Sequence, residues 1–421
     1  MRSFSIIILL LISPFLLEAQ NIYIKNYTYK DYGSVDISIS PQNWDIIEDE
    51  FGRIFIANTS GIMVFDGTYW NAVDGSENKD IYDLGRDSSD VIYVGGASEM
   101  GYITYDASGK AIYKSLLNYL PEEYKDFSRI DEIATINDHV YFKSKKYLFH
   151  YHDSIFTRHE IESENFTLWE MDQKLYLQKG KNEILVFENG QSESFISDIE
   201  DNISSLKGLI ENESGELIYI SKKSGFYKLK GSKLLHFETE VESKIDNLDV
   251  LSVCQINSDL IVLATKGAGL VFTDSKGKLV KQINLNNGLA SNICYSVYLD
   301  KSGGIWTGRD NGFSRVEFPS PLSQYNHKNG LEGIVLDVLS DEDMLYAGTI
   351  TGLYGKSLTD DTQFQLISGI SEVWDIQKIN NSIFIASRSG IFQLIWGKAK
   401  LIASVEARVI YPSSRTDIIL I

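Results

Sequence analysis

Residues able to do chemistry are sparse in this sequence, and few are spaced to act together. The densest group is FHYHDSIFTRH, with His150, His152 and His159. Side chains two apart share one face of a β-strand, so His150 and His152 have the geometry of a metal pair. A third ligand close by would have to be Asp153 or His159, and the segment is irregular. No metal and no cofactor is expected. Phosphate-loop, nucleophile-elbow, HExxH and EF-hand patterns are all missing from the sequence. DASGK and DKSGG each open on an Asp. An Asp in that place caps its own turn through its side chain, which is a simpler reading than calcium. Two carboxylates converging in a funnel would suggest a glycosidase or lyase. With 58 acidic residues, the sequence does not single out such a pair. Cys254 and Cys294 have no CxxC spacing and read as small buried hydrophobes.

The elements that would position any site come from a repeat. DKSGGIWTGRDNGFSRV (300–316) is a turn, an apolar strand, a second turn with Gly, and another strand. Segments beginning at residues 48, 85, 211, 257, 340 and 379 match it. The glycine before the second strand falls at Gly61, Gly101, Gly225, Gly269, Gly312, Gly352 and Gly390. Successive gaps are 38 to 44 residues, apart from one of 124 that holds two degenerate copies, DHVYFKSKKYLFHY and QKLYLQKGKNEILVF. Nine units result, plus the start of a tenth, PSSRTDIILI. A period of about 40–45 with several short strands predicts one four-stranded β-propeller blade per repeat. RIFIA, VIYVG, ELIYI and LIVLA are continuous apolar runs, as expected of strands buried on both faces. The recurrent glycine is expected to supply a positive φ at the turn. Trp306 takes the slot of Phe55, Tyr93, Tyr219 and Tyr346 and is predicted to be core between blades rather than a ligand platform. The unrepeated stretches 71–80, 111–129, 191–205, 236–249 and 320–334 read as connectors. One of them, AIYKSLLNYLPEEYKDFSR, looks helical, with Leu116, Leu117 and Leu120 packed down.

Composition narrows the partners. The net charge of −19 repels nucleic acid and anionic lipid heads, so neither is an expected partner. At the N-terminus Arg2 precedes an apolar run from Ile6 to Leu17. That run is too short to span a bilayer but suits a signal peptide, cut between Ala19 and Gln20. No later stretch is apolar enough for a membrane span, so the chain is expected to be exported.

NGLASNICYSVYLDKSGGIWTGRDNGFSRV resembles the repeat of the two-component regulator propeller family. Gly288, Leu289, Asp300, Gly303, Gly304, Ile305, Trp306, Gly308 and Gly312 carry the match, while Arg309 and Phe313 replace the usual threonine and leucine. NWDIIEDEFGRIFIANTSGIMVFDGTYW and SPLSQYNHKNGLEGIVLDVL also look like this family. The resemblance implies an all-β fold: a seven-bladed β-propeller followed by the incomplete start of a second propeller. The expected division is a signal peptide at 1–19, a first propeller at 20–325 and the first blades of a truncated second at 326–421. It further implies the periplasmic ligand-sensing region of a signalling receptor, with no enzymatic activity in this chain. The partners implied are an oligosaccharide or other small ligand, and triple-tyrosine and output domains downstream in the full-length protein. An exported glycosidase or lyase and a surface adhesin or scaffold are the alternatives.

Two structural expectations follow. Residues 22–30 should form the outer strand of the seventh blade beside residues 312–318, because 24–39 resembles 322–338. The turns NTSG, GGASEMG, SKKSG, TKGAG and GRDNG should share one rim. That makes Glu99, Lys222, Lys223, Lys266, Arg309 and Asp310 the candidate ligand contacts.

Overall fold

The computed structural model describes residues 22–27, 40–161, 166–171, 173–180, 183–188, 191–196, 203–223, 225–231, 233–320, 322, 325, 327–359, 362–412 and 419–420. Ala19 and Gln20, the expected cleavage point, lie outside them. The chain separates into two compact units, residues 1–323 and 324–421.

The first unit contains seven four-stranded antiparallel sheets. Blades 1 to 6 cover residues 43–72, 81–115, 132–160, 166–196, 206–237 and 250–283, each with its strands paired in chain order. Blade 7 takes three strands from 294–317 and its fourth from Tyr23–Tyr27, in the register Tyr23↔Glu317 to Tyr27↔Phe313. The first strand of every blade touches those of the blades before and after it, and blade 7 returns to blade 1. These seven inner strands therefore ring a central axis. The ring is a β-propeller closed by its own N-terminal strand, which leaves no exposed sheet edge at the junction.

Burial follows the sequence pattern. The second strands Ile54–Asn58, Ile92–Gly96, Ile261–Thr265 and Ile305–Arg309 are buried at every position. At the closure Trp306 packs with Tyr27, Phe313, Trp70, Ile46 and Met63 between blades 7 and 1. Its indole N–H donates to Asp300 Oδ2 at 2.8 Å. Asp300 also accepts from the backbone N–H groups of Ser302 and Gly304, so the DKSGG stretch is the self-capped turn its sequence suggested. Burying each large apolar side chain is worth about 1.5–3 kcal/mol, and no blade could hide both faces alone.

Three local expectations need correction. Gly312 has φ +83°, but Gly352 does not adopt a positive φ, and Gly101 lies inside the strand Glu99–Tyr105, where the positive φ of that turn falls on Ser98. Gly101 is small for a different reason: an added Cβ would stand 2.2 Å from the Tyr113 ring. The 111–129 stretch is not a helix. It begins with the outer strand of blade 2 and ends in one 3-10 turn, Glu122–Tyr124, with Leu116 and Leu120 buried. Among the described residues the single α-helix is Glu240–Lys244. No described helix is long and apolar enough to cross a membrane. The connectors also proved richer than expected, since they carry several outer strands.

The second unit has two further four-stranded blades, 335–368 and 373–403, and a strand pair, Tyr411–Pro412 with Ile419–Leu420. Its first strand, Val335–Asp341, is largely exposed.

Candidate ligand-binding rim

The inner strands share a device that the sequence reading did not isolate. In blades 1, 2, 5, 6 and 7 the register slips by one residue near the start of the inner strand, between Asn43 and Asp45, Ile81 and Asp83, Leu206 and Gly208, Val250 and Ser252, and Cys294 and Ser296, whereas blades 3 and 4 pair without a slip. Such a bulge leaves one residue unpaired and re-aims its neighbours. The polar residue after the bulge reaches across to the next blade. Asp45 accepts from Leu84 N–H at 3.2 Å, Asp83 from Ile133 N–H at 2.5 Å, and Ser252 from Val297 N–H at 3.4 Å. Blade 3 does the same with Glu132, which accepts from Leu168 N–H at 2.9 Å. These bonds tie four of the seven blade junctions.

The bulged residues are Trp44, Tyr82 and Tyr295 on blades 1, 2 and 7. The Trp44 ring lies 5.5 Å from Tyr82 and 4.5 Å from Tyr295, so three adjacent blades form one aromatic arc. All three rings are half-buried. The Trp44 indole N–H donates to Thr59 Oγ1 at 3.1 Å, in the NTSG turn, which fixes the arc at the rim carrying the between-strand turns. The Arg129 guanidinium sits 4.4 Å over the Tyr82 ring. Equivalent positions on blades 3 and 5 are charged, with Asp131 and Lys207. Lys143 bridges Asp131 at 2.9 Å and Glu132 at 3.6 Å, and Lys207 lies 3.8 Å from Glu132. Burial works against the Lys143 charge, but Glu132 and Asp131 outweigh it and hold its pKa above the ordinary lysine range. Blades 7, 1 and 2 thus carry aromatic residues at this position, and blades 3 and 5 carry charged ones.

Just inside, Asp45 and Asp83 lie within hydrogen-bonding reach of each other. The surrounding walls raise Asp45 to about 6. The same desolvation, together with the Asp45 charge, pushes Asp83 well above the usual carboxylate range. Asp83 therefore keeps its proton where ordinary carboxylates have lost theirs.

The six rim candidates divide. Glu99 is buried, paired with Lys79 and accepting from Ser115 Oγ at 2.8 Å, so it braces blade 2 and is not offered to a ligand. Arg309 is fully buried, and its Nη2 donates to the carbonyls of Tyr27 and Phe313 at 3.2 and 2.9 Å. It fastens the closing strand. Both were expected at the surface because their turns are; the strand pairing turns these two side chains inward. Asp310 is half-buried, and its charge helps raise the pKa of Tyr295, after burial. Lys223 and Lys266 line a cleft of about 540 Å³ with Glu242, Ile245, Leu248 and Asp249. Lys222 and Lys223 approach Asp249 at 4.0 and 3.8 Å. Trp44, Tyr82 and Tyr295 escaped the sequence reading, although NWD, IYD and CYS carry a legible signal: an aromatic residue followed by Asp or Ser, early in the inner strand.

No family model and no curated protein matches the sequence. Solved structures do match the fold. The extracellular domain of the hybrid two-component system BT3049 from B. thetaiotaomicron aligns with a TM-score of 0.60 at 16% identity, over 93% of this chain and 56% of that one. The corresponding domain of BT4673 from the same organism gives 0.54 at 15%, over 93% and 55%. A streptogramin B lyase gives 0.55 at 14%, over 71% of this chain and 98% of its own. The chain thus spans just over half the length of the two extracellular domains it resembles.

Proposed function

We propose that this chain is the ligand-sensing propeller region of an extracytoplasmic two-component-type receptor, and that an oligosaccharide binds at the mouth of the first ring. The observation that carries this reading is the aromatic arc of Trp44, Tyr82 and Tyr295, continued on the neighbouring blades by the charged residues Arg129, Asp131, Glu132 and Lys207. Aromatic faces offer rigid apolar area for sugar rings, while convergent charged and polar groups orient hydroxyls. The fold-level likeness to two extracellular domains of hybrid two-component systems, across both units of this chain, supports the same direction. The cleft at Lys223 and Lys266 extends the polar surface of that rim.

In this reading the chain binds and does not catalyse. Asp45 and Asp83 are its best acid–base pair, but they lie within hydrogen-bonding reach of each other, whereas a glycosidase holds its two carboxyls about 5 Å or more apart. Both also accept backbone N–H groups from the next blade. The output activity belongs to downstream domains of the same receptor.

The test is genetic. In the native host, replacing Trp44 with Ala in the chromosomal copy should abolish the transcriptional response to the inducing polysaccharide while the protein stays at normal abundance. An undiminished response would remove the mouth as the sensing site.

A further inference from the structure

Blade 3 carries four of the six histidines of the chain, and three of them meet at one end. His139 starts its second strand, His139–Lys143, and His150 and His152 close its third, Tyr147–His152. The His139 and His152 rings stack at 4.0 Å, and His139 and His150 at 5.0 Å. His139 Nδ1 stands 2.8 Å from His150 Nε2, so a proton lies between them. With His139 as donor, its Nε2 keeps a lone pair, 3.9 Å from Asp138 Oδ1. On His152, Nε2 faces Asp153 Oδ2 at 3.3 Å, which places the N–H there and leaves the lone pair on Nδ1. That Nδ1 is buried, makes no hydrogen bond among the described residues, and lies 3.4 Å from Asp138 Oδ2.

We propose that Asp138, His139 and His152 bind one divalent first-row transition-metal ion such as Zn²⁺. Their donor atoms all lie within 4.8 Å of one another. Around Zn²⁺, bonds of about 2.0–2.2 Å at tetrahedral angles separate ligand atoms by about 3.3 Å. His152 Nδ1 already stands 3.4 Å from Asp138 Oδ2, while His139 Nε2, 3.9 Å from Oδ1 and on a ring stacked against His152, must swing toward the ion on binding. Two imidazoles and a carboxylate suit zinc and its neighbours rather than magnesium or calcium. The outer partners also fit: a metal-bound histidine gives its second N–H to a carboxylate or other acceptor, and Asp153 and His150 fill those places. Three protein ligands leave a fourth position for water or a ligand group. The sequence set His150 and His152 side by side and expected no metal; their rings lie 6.4 Å apart, and the donors that approach His152 come from the turn before the second strand and from its first residue.

The test uses the untagged full chain, stripped with a chelator and titrated calorimetrically with ZnCl₂. One ion per chain is expected, with binding lost in His139→Ala, His152→Ala and Asp138→Asn. Asp153→Asn and His150→Ala should weaken it by about 10–100-fold, as loss of an orienting partner does. Melting curves recorded in chelator identify any variant that fails to fold, and Asp138, with a side chain 61% exposed, is the one whose replacement should leave the blade intact. No saturable binding by the parent chain would overturn the proposal. So would parent-like binding by Asp138→Asn together with its loss in His150→Ala, which would identify a three-imidazole site instead.

Discussion

At the residue scale, the positions that hold this ring together are those with no alternative conformation or packing. Trp306 is 2% exposed and packs against both ends of the ring. Trp306→Ala should cost about 3–5 kcal/mol, the usual range for a large buried side chain replaced by a cavity. Gly312 at φ +83° sits where a β-branched residue is strained, so Gly312→Val should cost a kcal/mol or more, roughly. Denaturant melts of both variants check this, and neutrality in both would contradict the blade assignment. The Asp45–Asp83 pair predicts a pH effect of definite sign. Asp83 has a raised pKa in the folded state, from burial first and the Asp45 charge second, so the fold holds a proton that the unfolded chain releases at lower pH. Its contribution is complete below the ordinary carboxylate pKa and is lost progressively as pH rises from there through the raised value. Asp83→Asn keeps an acceptor for Ile133 N–H and removes the titration. Its melting temperature should therefore gain on the parent between pH 5 and 7.5; parallel curves would contradict the shared proton.

At the element scale, legibility tracked how strongly local chemistry constrains the backbone. The second and third strands of each blade were readable because burial on both faces demands continuous β-branched and aromatic runs. Blades 3 and 4 form complete four-stranded sheets even though their copies lack the glycine, because strand pairing needs only a turn that closes. The fourth strands were the least readable. Exposed on one side and free of the repeat motif, they hid in stretches taken for connectors; Gln191–Ile196, for example, is exposed at five of six positions. The leucines of 111–129 suggested a helix by spacing alone, yet tertiary packing places Leu116 and Leu120 in the core shared with Phe127 and Ile130. The inner-strand tie recurs in the second unit, where Asp337 accepts from Ile376 N–H at 2.7 Å and Asp375 from Ile410 N–H at 2.6 Å. Asp375→Ala should therefore loosen the 411–412 segment, read as faster amide exchange at Ile410, while exchange in residues 43–317 stays unchanged.

At the scale of the whole molecule, the two units differ in how well they cover themselves. The first is a closed ring. The second leaves Ile334, Val338 and Leu366 exposed at 65%, 59% and 56% around one blade. Apolar surface of that kind associates in water. A chain of residues 20–325 should stay monomeric in sedimentation experiments, while the 421-residue chain should self-associate and lose residues 330–421 first to a protease. The ring itself serves as a frame that brings seven inner strands to one mouth, and in the proposed function the aromatic arc is the part of that mouth that recognises the ligand. The most direct measurement is a calorimetric titration of the full chain with a panel of neutral and acidic oligosaccharides, repeated on Trp44→Phe and Trp44→Ala. The account predicts that a member of the panel binds the parent, that Trp44→Phe keeps most of the affinity, and that Trp44→Ala, assayed well below its own lowered melting temperature, loses at least about tenfold, or 1.4 kcal/mol. Parent-like binding by Trp44→Ala, or no binding by any member of the panel, would contradict it.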